Sequence, residues 1–207
     1  MSSSSKVKYE DLLEFEPITG NQKKAFDLWD EGENLILAGS AGTGKTFIAM
    51  YLALESILEK STPYDKIILL RSVVSVREVG YLPGKLEEKT DVFQAPYKSI
   101  TEELMEDKAA YNKLCSSHII QFETTSFVRG KTYDRAIMIV DEMQNLNFHE
   151  LDSVMTRAGE NCRLIFCGDY LQSDFHHEGE RNGLAKFLNI IERMKDFSVV
   201  QFGWDDI

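Results

Sequence analysis

The sequence predicts an α/β fold in which a parallel sheet carries helices on both faces. Six short, nearly continuous apolar runs alternate with amphipathic helical patterns, which is typical of a parallel sheet buried on both sides. A glycine-rich loop, GSAGTGKT at 39–46, joins the first apolar run to the helical pattern that follows. A loop of this pattern between a strand and a helix predicts a site for a polyphosphate.

The elements follow from hydrophobic periodicity along the chain. Residues 21–32 carry Ala25, Phe26, Leu28 and Trp29 on one predicted helical face. Strands are predicted at 34–38, 66–71, 118–123, 136–140, 162–168 and 198–202, and helices at 45–60, about 95–115, 147–158 and 183–195. Residues 72–96 form a long insertion, and loops of this length in compact domains are usually either functional or disordered; its aromatic, proline and glycine content favours an ordered loop. We predict one domain over 17–207, preceded by a polar tail over 1–16.

Composition limits the function classes. The net charge of −11 argues against a protein that binds nucleic acid over its whole surface, although a local basic strip remains compatible with it. Three cysteines without C-x-x-C spacing predict reduced thiols and a cytoplasmic protein. No apolar stretch of 18 residues occurs, so no membrane segment is predicted.

The glycine-rich loop has the residue types that a triphosphate requires. Its glycines allow consecutive N–H groups to turn inward at the positive end of a helix. Lys45 is expected to reach the β- and γ-phosphates, and the Thr46 hydroxyl to bind Mg²⁺. A glycine turn without ligand is the alternative. The predicted nucleotide-binding residues of this loop are Gly39, Ser40, Ala41, Gly42, Thr43, Gly44, Lys45, Thr46 and Phe47.

Two carboxylates end the strand in AIMIVDEMQN (136–145). Asp141 is expected to hold the metal through water, and Glu142 to orient and deprotonate the attacking water. The alternative is a solvated strand end. Gln172, after the strand CRLIFCG, is expected to hydrogen-bond the γ-phosphate or the water, unless the segment is only a turn with Asp169 as a helix cap. Gln22 is expected to read the adenine edge, against a surface glutamine.

These segments resemble the PhoH family of phosphate-loop ATPases. The likeness rests on GSAGTGKT, RSVVSVREVGYLPGKLEEK (71–89), SFVRGKTYDRAIMIVDEMQN (126–145), CGDYLQSDF (167–175) and NGL (182–184). It implies a RecA-like domain similar to the first core domain of superfamily 1 helicases. By this resemblance Gln22 reads adenine, Lys45 and Thr46 bind phosphate and Mg²⁺, Asp141 and Glu142 serve hydrolysis, and Gln172 senses the γ-phosphate.

The chain departs from the family in two places. Arg71-Ser72 stands where relatives have Arg-Pro, so the loop that enters the insertion is expected to be less rigid. Relatives also continue past the position of Ile207 into a segment that carries an arginine. If that arginine completes the site, a chain without it is expected to bind nucleotide and hydrolyse it poorly.

One phosphate-loop domain provides only one wall of a motor's ATP cleft. An arginine from a neighbouring copy is expected to complete it, which predicts a homo-oligomer and, by analogy, a hexameric ring. The candidate arginines are Arg129, Arg157 and Arg181.

Basic residues with aromatic neighbours suggest a site for single-stranded RNA or DNA. Arg129 and Lys131 lie near Phe127 and Tyr133, and Arg77 and Lys85 lie in the insertion with Tyr81 and Phe93. Cations match phosphates and exposed rings stack on bases. An ordinary mixed surface is the alternative.

The predicted function is Mg²⁺-dependent ATP hydrolysis coupled to binding or remodelling of single-stranded nucleic acid, as in helicases and translocases. One alternative is an ATP-binding switch or scaffold with little turnover. The other is a small-molecule kinase, against which the Asp-Glu pair and Gln172 favour water as the acceptor.

Overall fold

The computed structural model describes residues 7–72, 86–125, 128–169 and 178–206, with side chains described throughout these ranges except at 86–90 and 178–182. The strands are β1 (Asn34–Gly39), β2 (Lys66–Arg71), β3 (Ile120–Thr124), β4 (Ala136–Asp141), β5 (Arg163–Gly168) and β6 (Phe197–Phe202). The helices are α1 (Gly20–Asp30), α2 (Lys45–Leu58), α3 (Leu86–Leu104), α4 (Ala110–Ser116), α5 (Phe148–Met155) and α6 (Glu178–Ile191). Each strand lies within two residues of its predicted bounds.

The strands form one sheet in the order β3-β2-β4-β5-β1-β6. Every neighbouring pair is parallel, which confirms the predicted parallel sheet. Parallel strands end at a common edge, and loops at that edge form the ligand crevices of open α/β sheets. The loop after β1 and the carboxylates after β4 therefore lie at the same edge, with β5 between them.

Helices cover both faces of the sheet, as predicted. Leu35 and Leu37 of β1 pack into one apolar layer with α1 to α4. Ile36 and Ala38 face the opposite layer, which contains α5 and α6. Successive side chains of a strand point to opposite faces, so a run of uninterrupted apolar residues supplies both layers.

The predicted helix at about 95–115 is wrong as a single element. The structure has α3 and α4, and Glu106, between them, adopts a positive φ of 46°. The Asp107 carboxylate accepts a hydrogen bond of 2.8 Å from the backbone N–H of Ala109, directly before α4. Helix α3 also begins at Leu86, inside the predicted insertion.

Residues 7–16 of the predicted polar tail contact the domain. Val7, Leu12 and Phe15 pack against the apolar layer of α1 to α4. The Phe15 ring lies 5.3 Å from the Phe47 ring, and the backbone N–H of Leu13 donates to the carbonyl of Leu104 at 2.8 Å. These scattered apolar residues dock a segment whose composition is otherwise polar.

In the part of the chain that is described, no helix is long and apolar enough to span a bilayer.

Candidate functional site

The loop between β1 and α2 has a backbone that depends on glycine at two positions. Gly39 has a φ of 148°, and a Cβ there would lie 2.2 Å from the carbonyl oxygen of Phe202 at the end of β6. Gly44, directly before α2, is left-handed with a φ of 79°. The loop therefore leads into the first turn of α2, whose free N–H groups and helix dipole favour an anion.

Lys45 is a buried cation held by this loop, with only 8% of its surface exposed. Its Nζ donates to the carbonyl of Ser40 at 2.6 Å and to the Thr43 hydroxyl at 3.2 Å. The Thr43 hydroxyl donates to the same Ser40 carbonyl at 2.8 Å. A buried ammonium whose partners are neutral oxygens is suited to an anionic ligand.

Asp141 joins the loop to the end of β4. The Thr46 hydroxyl donates to Oδ1 of Asp141 at 3.0 Å, across 95 residues of sequence. The Tyr97 hydroxyl donates to Oδ2 at 2.9 Å. Burial, and then the charge of Asp141, raise the pKa of Tyr97 well above its usual value, so its hydroxyl remains a donor.

Thr46 and Asp141 fit the ligand chemistry of magnesium. A hydroxyl and a carboxylate are hard oxygen donors, and magnesium in nucleotide sites takes one or two carboxylates together with substrate phosphates. Over the described ranges, no group of three or more His, Cys, Asp or Glu side chains forms an all-protein metal cage. The oxygen pair agrees with an ion that is shared with a phosphate ligand.

Glu142 is held in an unusual backbone conformation beside Asp141. Its φ is 53°, which in a non-glycine residue typically costs about 1–3 kcal/mol and is frequent at functional sites. Its Oε2 accepts a hydrogen bond from Nε2 of Gln144, and its Oε1 lies 3.8 Å from Nη2 of Arg71. Gln144 also accepts a hydrogen bond of 3.1 Å from the backbone N–H of Asp169, just beyond β5. Glu142 is thereby tied to the ends of two neighbouring strands.

These groups surround one open cavity of about 370 Å³. Lys45, Thr46, Asp141 and Glu142 all line it, so the structure brings the predicted phosphate loop and the predicted carboxylates together. Ala41, Gly42, Gly44 and Phe47 also line it, together with Ile100, Gln144, Gly168 and Asp169.

Of the two predicted glutamines of the site, the structure describes Gln22 but not Gln172. Gln22 is only 7% exposed, so the alternative of a surface glutamine is wrong. Its Oε1 accepts from the backbone N–H of Ile18 at 2.9 Å, and its role toward adenine stays a prediction. Gln172 lies outside the described residues, as do Arg77 and Lys85.

The basic residues after β3 are only partly as expected. Arg129 and Lys131 are exposed, and Nζ of Lys131 lies 2.7 Å from Oε2 of Glu123. The expectation that Tyr133 stacks on bases is wrong, because its ring is buried and its hydroxyl donates to Glu123 at 2.6 Å. Phe127 lies outside the described residues.

The candidate arginines that are expected to reach a neighbouring copy differ in their exposure. Arg157 is half-buried and its Nε is enclosed, which disfavours the exposed role expected of it. Arg129 keeps the required exposure, and the side chain of Arg181 is not described.

Sequence reasoning missed Tyr97 and Gln144, and it considered Arg71 only as a residue at the entrance to the insertion. Arg71 pairs with Asp141 in the register of β2 and β4, so its position at a strand end was the available signal. Gln144 is two residues from Glu142, within reach of it. For Tyr97 no local pattern marks the contact.

Comparison with known proteins identifies the family. The model of the PhoH-like protein family matches residues 14–207. The chain is 33% identical to the PhoH-like protein of Mycobacterium leprae (strain TN), over 92% of this chain and 54% of that protein. It is 32% identical to Protein PhoH of Escherichia coli (strain K12), over 85% of this chain and 50% of that protein. The chain thus spans about half the length of these curated relatives.

Solved structures share the fold at low sequence identity. The large terminase of a thermophilic bacteriophage, in complex with ADP, matches with a TM-score of 0.51 and 13% identity, over 92% of this chain and 46% of that chain. The DUF1998 helicase MrfA, bound to DNA and AMPPNP, matches with a TM-score of 0.54 and 12% identity, over 97% of this chain and 29% of that chain. The fold is that of phosphate-loop NTPases, as the sequence predicts, and the chain belongs to the PhoH-like protein family.

Proposed function

We propose that this chain is a Mg²⁺-dependent ATP hydrolase whose turnover is coupled to single-stranded nucleic acid. The observation that carries the proposal is the 3.0 Å hydrogen bond between Thr46 and Asp141 at the rim of a cavity that also contains Lys45. A hydroxyl, a carboxylate and an ammonium meet there at the positive end of a helix. This combination suits a metal-bound triphosphate.

The residues of the site have separate roles in hydrolysis. The loop N–H groups and Lys45 bind the β- and γ-phosphates, and Thr46 and Asp141 hold the magnesium ion. The ion, when bound, neutralises charge on the phosphate oxygens. Glu142 orients a water molecule toward the γ-phosphorus and takes its proton as the P–O bond to ADP breaks. Gln144 fixes the carboxylate of Glu142, and Gln172 is proposed to sense the γ-phosphate.

Adenine is the proposed base. Gln22 provides a buried amide near the start of α1, whose N-terminal end is joined to the segment after β6 by hydrogen bonds from Thr19 and Asn21 to Asp206. Fold neighbours are described with ADP and with AMPPNP, both adenine nucleotides, which supports this choice.

Single-stranded RNA or DNA is the proposed partner. Arg129 and Lys131 are exposed on the segment that follows the carboxyl end of β3, the same edge of the sheet as the phosphate loop. A fold neighbour, the helicase MrfA, is described bound to DNA. Phosphate contacts from these two side chains fit a strand that crosses this edge.

A neighbouring copy is proposed to complete the cleft with an arginine, in a closed ring. Such an arginine typically adds about 10³ to 10⁵ in rate at phosphate-loop sites. The mass of the particle by analytical ultracentrifugation, with and without a non-hydrolysable ATP analogue, tests this. A hexamer is expected, and a monomer under both conditions contradicts the ring.

Phosphate release tests the hydrolytic proposal. We expect the wild-type chain to release phosphate from ATP, with stimulation by single-stranded RNA or DNA, and Lys45→Ala to abolish it. Lys60→Ala is the matched control, because Lys60 is exposed just after α2 and away from the cavity. ATP binding with hardly any release would favour the switch or scaffold. Transfer of phosphate to a metabolite would favour the kinase, and turnover indifferent to every strand would contradict the coupling.

A further inference from the structure

We propose that Tyr97 is a positioning residue that fixes the carboxylate of Asp141 for the magnesium ion. This inference rests on the proposed function, because it assigns Asp141 to the metal. Tyr97 itself does not line the cavity, so it acts on the site only through Asp141.

The two oxygens of Asp141 have different donors. Oδ1 accepts from the Thr46 hydroxyl at 3.0 Å, and Thr46 belongs to the proposed metal site itself. Oδ2 accepts from the buried Tyr97 hydroxyl at 2.9 Å. Two donors from different elements, α2 and α3, restrain the orientation of the carboxylate. Tyr97 is thus the one of these two donors that lies outside the proposed ligand set.

Tyr97 is itself held in place by packing. Its side chain is fully buried, and its ring centroid lies 6.0 Å from that of Phe122 in β3. One turn later, the Thr101 hydroxyl donates to the carbonyl of Tyr97 at 2.7 Å, and Thr101 is also fully buried. A group positioned by packing in this way can orient a metal ligand within a narrow range.

Helix α3 contains a proline directly before Tyr97. Pro96 lies inside the helix and has no N–H to donate, so the helical hydrogen bond toward residue 92 is absent. The turn that starts at Tyr97 therefore has one helical hydrogen bond fewer to the part of α3 before it. The contact of the Tyr97 ring with Phe122 and the hydrogen bond to Asp141 are the interactions that place the hydroxyl.

Loss of the hydroxyl is expected to weaken magnesium binding more than nucleotide binding. Tyr97→Phe keeps the ring and removes only the donor to Oδ2. Replacement of groups that orient a metal ligand typically lowers metal affinity by about 10- to 100-fold. The phosphate loop and Lys45 are untouched, so affinity for the nucleotide without metal is expected to stay unchanged.

The test is a magnesium titration of nucleotide binding. Fluorescence anisotropy of a fluorescent, non-hydrolysable ATP analogue is measured in EDTA and at rising Mg²⁺, for the wild type, Tyr97→Phe and Tyr111→Phe. Tyr111 is the matched control, because it is buried in α4 and donates to Gln94 at 2.9 Å, away from Asp141. We expect the Mg²⁺ midpoint to rise at least about tenfold in Tyr97→Phe alone, with equal affinities in EDTA.

Each other outcome has a defined meaning. Equal Mg²⁺ midpoints in the wild type and Tyr97→Phe overturn the positioning role and leave the proposed function intact. A wild type whose nucleotide affinity does not depend on Mg²⁺ contradicts the proposed function, and this inference with it. A thermal-shift titration with Mg²⁺ in the presence of nucleotide separates stability from metal binding. A variant that is merely less stable unfolds at a lower temperature but keeps the Mg²⁺ midpoint of the wild type. If Tyr97→Phe yields no folded protein while Tyr111→Phe folds, the hydroxyl serves stability and the positioning role is overturned.

Discussion

Glu142→Gln separates nucleotide binding from hydrolysis. Glutamine has the length of glutamate but cannot accept a proton from the attacking water. General-base catalysis typically contributes about 10²- to 10⁴-fold, so the hydrolysis rate is expected to fall by that factor. This corresponds to a barrier about 3 to 5 kcal/mol higher. The ATP affinity of Glu142→Gln is expected to stay within about threefold of the wild-type affinity, because the substitution removes no phosphate contact of Lys45 or the loop.

The structure limits how far Glu142→Gln can disturb the fold. The substitution removes an ion pair of 3.8 Å between Arg71 and Glu142, whose side chains are 23% and 38% exposed. Ion pairs of this exposure contribute about 0–1 kcal/mol. The hydrogen bond with Gln144 can form again with a glutamine oxygen. The midpoint of thermal unfolding is therefore expected to fall by less than about 4 °C.

Single-turnover phosphate release measures this prediction, with binding of a fluorescent ATP analogue in parallel. Glu160→Gln is a suitable control, because Glu160 is an exposed carboxylate outside the cavity. Hydrolysis by Glu142→Gln within about threefold of the wild-type rate would refute the general-base assignment. A large loss of ATP binding would show that Glu142 contributes to binding of ATP before hydrolysis and not only to the hydrolytic step.

Three further predictions concern the loop, the start of α1 and the basic segment. Gly39→Ala places a Cβ 2.2 Å from a backbone carbonyl of β6 and is expected to destabilise the fold by about 1–3 kcal/mol in urea unfolding, whereas Gly20→Ala, with open space at its Cβ, is not. Burial alone would raise the pKa of Asp206, but hydrogen bonds from Thr19, Gly203 and Asn21 lower it on balance. Its stabilising effect is therefore full above about pH 4, the pKa of an unfolded carboxyl, and is lost as the pH falls through the lower folded value. The stability difference between the wild type and Asp206→Asn should shrink below that pH in urea titrations. Arg129→Ala with Lys131→Ala should weaken binding of single-stranded nucleic acid and reduce its salt slope by about 0.7 for each phosphate that is no longer neutralised, and an unchanged slope would exclude both residues from the interface.

The sheet and the centre of the site were predictable because their signals are local. Each buried strand is an apolar run, and the loop at 39–46 encodes both its glycine geometry and its lysine. Asp141 and Glu142 are marked by their position after such a run. Because parallel strands end at one edge, the sequence also predicts that these carboxylates lie near the loop.

The remaining features depend on packing between distant segments. The contact of Tyr97 with Asp141 spans 44 residues and is set by how α3 lies on the sheet. The sequence predicts Tyr133 as an exposed aromatic residue beside basic residues. In the structure its backbone forms an isolated β-bridge with Ala158, and its side chain is buried. The division of α3 from α4 occurs at Glu106, which has a positive φ, and at Asp107, whose carboxylate accepts a hydrogen bond from the backbone N–H of Ala109.

The most direct test of the central claim is the position of the metal in a crystal structure with a non-hydrolysable ATP analogue. Mn²⁺ replaces Mg²⁺ there, so that anomalous scattering locates the ion. We expect the triphosphate to lie in the loop before α2, with the ion about 2.1 Å from the Thr46 hydroxyl and Asp141 oriented toward it. An ion or a triphosphate bound away from Thr46 and Asp141 would contradict the account.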